Sequence, residues 1–161
     1  MTNVGITGHQ RLPGPTDWDW VTVQLKAVIA HMCPPIVGIS SLAIGADQLF
    51  AEAVLNAGGT IQAVIPFESY ADTFQQGDEA KFKHLCGLSS RIEVLARVGS
   101  DEESYLVAGK RVVDLSDLVV AIWNGRPAEG LGGTADIVNY AIARKKRVIH
   151  INPTDRAVTE K

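Results

Sequence analysis

The sequence predicts one doubly wound, three-layer α/β domain built on a mostly parallel sheet of about six strands. Three observations predict it. Short β-rich runs alternate with longer amphipathic ones six times along the chain. Several of the short runs are almost wholly apolar, the pattern of strands covered by helices on both faces. A length of 161 residues with 46% hydrophobic and 20% charged side chains suits one domain with a single buried core. Regular alternation of strand and helix then leads to a parallel sheet through right-handed crossovers.

The strands are read at Val4–Thr7, Ile36–Ile39, Thr60–Ile65, Arg91–Leu95, Leu118–Trp123 and Arg147–Ile151. After the first strand, apolar positions at Val21, Leu25, Val28, Ile29 and Met32 follow a helical period. The second helix has apolar positions at Leu49, Phe50, Ala53, Val54 and Ala57, and Gly58-Gly59 ends it. A third helix is expected within Tyr70–Leu85, broken or starting late because Gly77 sits in the polar stretch Gln75–Glu79. The fourth is read at Glu102–Leu115. The last, Thr134–Ala143, ends in Arg144-Lys145-Lys146, cations that suit the helix dipole. The domain spans residues 1–152, and 153–161 read as a frayed polar tail.

Composition excludes several classes of function. A net charge of −3 argues against a general nucleic-acid surface, so nucleic acid is not expected as a partner. No apolar run approaches the length that spans a bilayer, so no membrane partner is expected. Met1-Thr2-Asn3-Val4 leads straight into a strand with no signal-peptide pattern, and Cys33 and Cys86 match no metal or redox spacing. A cytoplasmic protein is the expectation. His31, His84 and His150 have no partner at ligand spacing, and neither a metal nor a cofactor is predicted.

Glycine placement points to a site. Ligands of open parallel sheets sit beyond the carboxyl ends of the strands, and the loops there are rich in small and polar residues. The first strand runs into Thr7-Gly8-His9-Gln10-Arg11. The second runs into Ser40-Ser41-Leu42-Ala43-Ile44-Gly45-Ala46-Asp47, and the third ends in Pro66-Phe67-Glu68. After the fifth come Asn124-Gly125 and then Gly130-Leu131-Gly132-Gly133-Thr134-Ala135-Asp136. Gly130, Gly132 and Gly133 let backbone N–H groups approach an anion. Thr134 caps the next helix and offers a hydroxyl, so the helix N-terminus reads as a phosphate site. Gly130-x-Gly132-x-x-Ala135 also fits the dinucleotide fingerprint, with Asp155 downstream. That fingerprint belongs to the tight turn of the first βα unit, so the match reads as a coincidence and a nicotinamide dehydrogenase is not expected.

Among the polar candidates, Arg11 can fork onto a phosphate or carboxylate. His9 is either an acid, base or ligand donor, or a loop hydrogen-bond residue. Asp47 either complements a helix N-terminus or holds a ribose hydroxyl, and Asp136 is open in the same way. Trp123 either stacks on a base or is a rim aromatic. Spacing alone does not say whether Tyr105 and Arg111 face the site.

At Gly5-Ile6-Thr7-Gly8-His9, Ser41-Leu42-Ala43-Ile44-Gly45-Ala46-Asp47, Asp117–Gly125 and Gly130–Asp136 the sequence resembles the SLOG superfamily. This Rossmann-like group includes the cytokinin-activating LOG proteins, DprA and nucleotide-sensing domains of bacterial defence systems. The resemblance implies a Rossmann-like fold and a nucleotide or nucleotide-derived ligand at the loops after strands one, two and five. It places phosphate at the last glycine loop and implies frequent homodimers. LOG enzymes hydrolyse the N-glycosidic bond of nucleoside monophosphates with a Pro-Gly-Gly-x-Gly-Thr-x-x-Glu motif. Here the leading proline is missing, and Ile137 stands where the glutamate would be. A similar loop occurs in nucleoside 2-deoxyribosyltransferases, whose nucleophile is a glutamate.

The expected function is therefore a nucleotide or nucleotide-derivative binding protein, with a ligand sensor as one form. Its predicted binding residues are Gly8, His9, Arg11, Ser41, Gly45, Asp47, Trp123, Gly125, Gly130, Gly132, Gly133 and Thr134. The alternative is an enzyme acting at the N-glycosidic bond of a nucleoside monophosphate, as a phosphoribohydrolase or deoxyribosyltransferase. Such chemistry needs a carboxylate. Asp136 and Glu68 are the predicted catalytic residues, with Asp47 a further candidate acid.

Overall fold

The computed structural model describes residues 1–128 and 130–161. In chain order its elements are β1 (Thr2–Gly8), α1 (Asp17–Ala30), β2 (Ile36–Ser40), α2 (Ala46–Asn56), β3 (Thr60–Ile65), a 3₁₀ turn (Glu68–Thr73), α3 (Asp78–Leu88), β4 (Arg91–Val94), α4 (Asp101–Leu115), β5 (Leu118–Ile122), α5 (Thr134–Ala143), β6 (Arg147–Asn152) and β7 (Ala157–Glu160). The strands form one sheet in the order β4-β3-β2-β1-β5-β6-β7, parallel except for β7. The doubly wound three-layer prediction holds.

Strand period sorts the core into two layers. Val4, Ile6, Leu118, Val120 and Ile122 face Val21, Leu25, Phe50 and Val54 of α1 and α2. Val119, Ala121 and Val148 face Val113, Ile137 and Val138 of α4 and α5 on the other side. All five residues of β5 are buried, which is why that run carries no polar residue. The third helix does start late: a 3₁₀ turn ends at Thr73, and α3 begins at Asp78 behind Gly77. Ser100 opens α4 with a reciprocal capping box, its hydroxyl accepting from Glu103 N–H at 3.2 Å while Glu103 accepts from Ser100 N–H at 3.0 Å.

Residues 153–161 correct the expectation of a frayed tail. The Asn152 side-chain oxygen accepts from the N–H groups of Thr154 and Asp155 at 3.0 and 3.1 Å, closing an Asx-type turn. The chain then returns as β7, with Ile151 opposite Val158 and Ile149 opposite Glu160. Arg147 and Glu160 pair across the two strands at 2.8 Å. An exposed edge strand needs little apolar sequence, because the ladder hydrogen bonds hold it.

Strand order reverses between β1 and β5, whose neighbours run outward to β4 on one side and β7 on the other. The loops leaving the carboxyl ends of these two strands diverge and open a crevice, the usual ligand position in this architecture.

Candidate functional site

His9 stitches that crevice together. Its N–H donates to the Ile122 carbonyl at 3.1 Å, and its own carbonyl accepts from Ala46 N–H at 3.1 Å. Its Nε2 accepts from Asn124 N–H at 3.1 Å. A backbone N–H only donates, so Nε2 carries the lone pair and the ring is neutral. Burial agrees, pushing the imidazole below its ordinary range against an opposing hydrogen bond with Asn124. Of the two readings of His9, the structure supplies the loop-holding one directly.

The β2–α2 loop is equally constrained. Leu42 is fully buried at a φ of 57°, its N–H bonded to Ser40 Oγ at 2.9 Å and its carbonyl to Gln48 Nε2 at 3.1 Å. This geometry turns Asp47, the second residue of α2, toward the crevice with 9% of its surface exposed. Ala43 N–H approaches its Oδ2 at 3.4 Å. Burial pushes the Asp47 carboxyl up to about 7, with smaller opposing contributions from Ala43, Ser40 and Ser41. Tyr70, also buried, is pushed well above the ordinary phenol range, by burial first and by Asp47 second.

The crevice is a cavity of about 820 Å³, within the range of small-ligand sites. Nine of the predicted binding residues line it. Gly8, His9 and Arg11 come from the β1 loop, and Ser41 and Asp47 from the β2 side. Trp123, Gly132, Gly133 and Thr134 come from the segment leading into α5. Trp123 sits at the rim, its Nε1 donating to the Arg126 carbonyl at 2.8 Å and its ring 5.1 Å from that of His150.

Gly133, not Thr134, is the N-cap of α5, and no side chain caps this helix. Thr134 is the first helical residue, which leaves its hydroxyl uncommitted to capping. Gly132 N–H is taken by Asp136 Oδ2 at 3.0 Å. The N–H groups of Gly133, Thr134 and Ala135 have no acceptor among the described residues. Arg11 and Arg126 both line the cavity, and among the described residues neither pairs with a carboxylate. Two guanidiniums and an open helix N-terminus thus share one cavity, an arrangement that attracts anions.

Five predicted residues lie outside it. Gly45 is the N-cap of α2, packed beneath the Gln10 backbone, so it shapes two site loops without touching the cavity. Gly125 stands near Asn152 and His150, and Gly130 is exposed with open space around it. Asp136 is spent on Gly132 N–H, and Glu68 is exposed in a separate shallow depression with Phe67 and Arg97. Neither predicted catalytic acid lines the cavity. Tyr105 does line it, whereas Arg111 pairs with Glu93 at 3.1 Å elsewhere.

Sequence reasoning missed Tyr70, Phe74, Gln75, Asp78 and Arg126, all of which line the cavity. The polar stretch from Gln75 is the one local signal, and in sequence it is indistinguishable from a simple helix break.

The parallel sheet, its helix layers and the crevice at the switch point define a Rossmann-like three-layer α/β fold. No family model matches the sequence, and no curated protein matches it. Solved structures do. DNA processing protein A from Helicobacter pylori, described for its single-stranded DNA binding mode, superposes with a TM-score of 0.65 at 18% identity. Its counterpart from Streptococcus pneumoniae gives the same two values. Each alignment covers 92% of this chain, but it spans only 64% of the first protein and 50% of the second. The Moco carrier protein from Chlamydomonas reinhardtii aligns over 92% of this chain and 75% of its own, at 19% identity and a TM-score of 0.55. These likenesses are likenesses of fold. Among the described residues, no helix is long and apolar enough to cross a membrane.

Proposed function

We propose that the protein binds a nucleotide or nucleotide-derived ligand, with phosphate against the N-terminus of α5 between Arg11 and Arg126. One observation carries the reading: two guanidiniums without carboxylate partners among the described residues line the same cavity as that uncapped helix. A phosphate there gains charge-assisted hydrogen bonds from both forks and from backbone N–H groups. A cytoplasmic setting and a homodimer belong to this reading, supported by the free thiols of Cys33 and Cys86 and by the family resemblance respectively. The overall charge of −3 argues against nucleic acid. The comparisons lend that argument no support, since one neighbour is described by single-stranded DNA binding. A short single strand therefore belongs among the ligands tested.

Thermal unfolding with nucleoside monophosphates, cyclic nucleotides, ADP-ribose and an oligonucleotide tests the proposal. A ligand at 100 times its Kd adds about 2.7 kcal/mol, a rise of roughly 5–10 °C for a domain of this size. The Arg11→Ala/Arg126→Ala double variant should lose most of that rise. If no phosphorylated compound shifts the wild type, the reading is wrong.

A second reading, cleavage of the N-glycosidic bond, is favoured by Asp47. Its carboxyl lies in the cavity and holds its proton up to about pH 7. It can deliver that proton to the departing base as the C–N bond breaks. Water adds its hydroxyl to the anomeric carbon and returns a proton to Asp47. Release of free base by the wild type and none by Asp47→Asn, followed by chromatography, would establish it.

A further inference from the structure

Charge is segregated along the cavity. Its guanidinium groups, Arg11 and Arg126, stand on the loops after β1 and β5, beside the α5 N-terminus. Among the described residues its two carboxyls, Asp47 and Asp78, stand on the segments after β2 and β3. In the order β3-β2-β1-β5, the outer pair is three strand spacings apart, roughly 14 Å. The cavity suits an elongated molecule with an anion at one end and hydrogen-bond donors at the other.

The donor end is built. Gln75 and Asp78 flank one turn, closed by a hydrogen bond from Asp78 N–H to the Gln75 carbonyl at 3.1 Å. Phe74 and Tyr105 line the same end, and Phe74 is held edge-on against Tyr70 and Phe82 at 5.0 and 4.7 Å. Asp47 lines this end too, nine-tenths buried, with Ala43 N–H 3.4 Å from its Oδ2. A carboxylate only accepts, whereas a glutamine amide also donates. Asp78 and Gln75 on one turn therefore offer two acceptors beside a donor, next to aromatic walls that suit a planar ring.

We propose that this end reads the 2-amino-6-oxo edge of guanine, so that the preferred ligand is a guanine nucleotide. Asp78 accepts from the ring N1–H and the exocyclic amine, and the Gln75 amide donates to the 6-oxo oxygen. The proposal rests on the nucleotide reading above. Hypoxanthine keeps the ring N–H and the oxo group but lacks the amine. Adenine sets a ring lone pair against the carboxylate.

Titration calorimetry of the full chain with GMP, IMP, AMP, nicotinamide mononucleotide and inorganic phosphate tests it. GMP should bind about tenfold more tightly than IMP, the weight of one hydrogen bond to a charged acceptor, and more tightly still than AMP. Asp78→Asn should bring GMP to within about threefold of IMP while inorganic phosphate binds as before, the sign of an intact fold. Tightest binding by AMP or nicotinamide mononucleotide, or an undiminished GMP preference in Asp78→Asn, overturns the guanine assignment and leaves the nucleotide reading standing. Failure of every phosphorylated compound to bind overturns both.

Discussion

Asp47→Asn should make the ligand-free protein more stable at pH 8 by about 3 kcal/mol and hardly change it at pH 3. The Asp47 carboxyl is raised from an ordinary 3.8 to about 7, chiefly by burial. Each tenfold change in proton affinity corresponds to about 1.4 kcal/mol, so the full difference is of order 4 kcal/mol, less whatever the site recovers by relaxing. The sign follows from proton binding. Below pH 4 both folded and unfolded chains hold the proton, and the contribution of Asp47 to stability is fully present. Between pH 4 and 7 the unfolded chain has released its proton and the folded chain has not, so wild-type stability falls as pH rises. Above pH 7 both are ionised, and the folded protein carries the whole cost of a buried charge. Asparagine has nearly the same shape, can still accept from Ala43 N–H, and has no charge to bury.

The advantage of the variant should therefore grow from pH 4 to pH 7 and level off beyond it. Urea unfolding at each pH measures this directly, and a gain of about 3 kcal/mol corresponds to roughly 6–12 °C in Tm. An advantage independent of pH would mean that Asp47 is not the group responsible. A buried carboxyl that weakens the empty protein at neutral pH is the kind of feature retained for binding or catalysis rather than for folding. The same variant should accordingly bind or turn over ligand less well.

The layers of the fold were legible because burial leaves a period. Val4 and Ile6 alternate with Gly5, and Leu118–Ile122 is apolar throughout because helices cover both of its faces. The α5 side of the cavity was legible too, since Gly132, Gly133 and Thr134, which line it, are adjacent in sequence and belong to one helix start. Side chains that meet only through topology were not. Asp78, after β3, and Arg126, after β5, reach the cavity from opposite sides of β1 and β2, and no local pattern joins them. Asp136 looked catalytic because it sits in the first turn of α5, but a carboxylate there is also well placed to accept from the loop behind it, as it does from Gly132 N–H. β7, with only Ala157 and Val158 apolar, left too short a run to read because its hydrogen-bond ladder with β6 holds it in place.

Gly45→Ala should cost far more stability than Gly58→Ala, because backbone conformation and close backbone approach both oppose a side chain at Gly45. Gly45 combines φ of 81° with ψ of −122°, a backbone conformation in which an added methyl costs roughly 1–3 kcal/mol, and Gly58 has φ of 80°. Their surroundings differ. A Cβ at Gly58 meets nothing within 4 Å, whereas one at Gly45 falls 2.4 Å from the Gln10 carbonyl oxygen and 2.7 Å from its Cα. That neighbour is backbone and cannot rotate away. Making room must push the β1 loop off α2, against the hydrogen bond from Ala46 N–H to the His9 carbonyl. Gly45→Ala should therefore cost about 3–5 kcal/mol against about 1–2 for Gly58→Ala. It should also weaken phosphate binding, because Arg11 adjoins the displaced Gln10. Gly58→Ala, beyond the far end of α2, should leave phosphate binding unchanged. Equal costs in urea unfolding would show that the β1 loop yields freely, and His9 would then lose the holding role that its three hydrogen bonds assign to it.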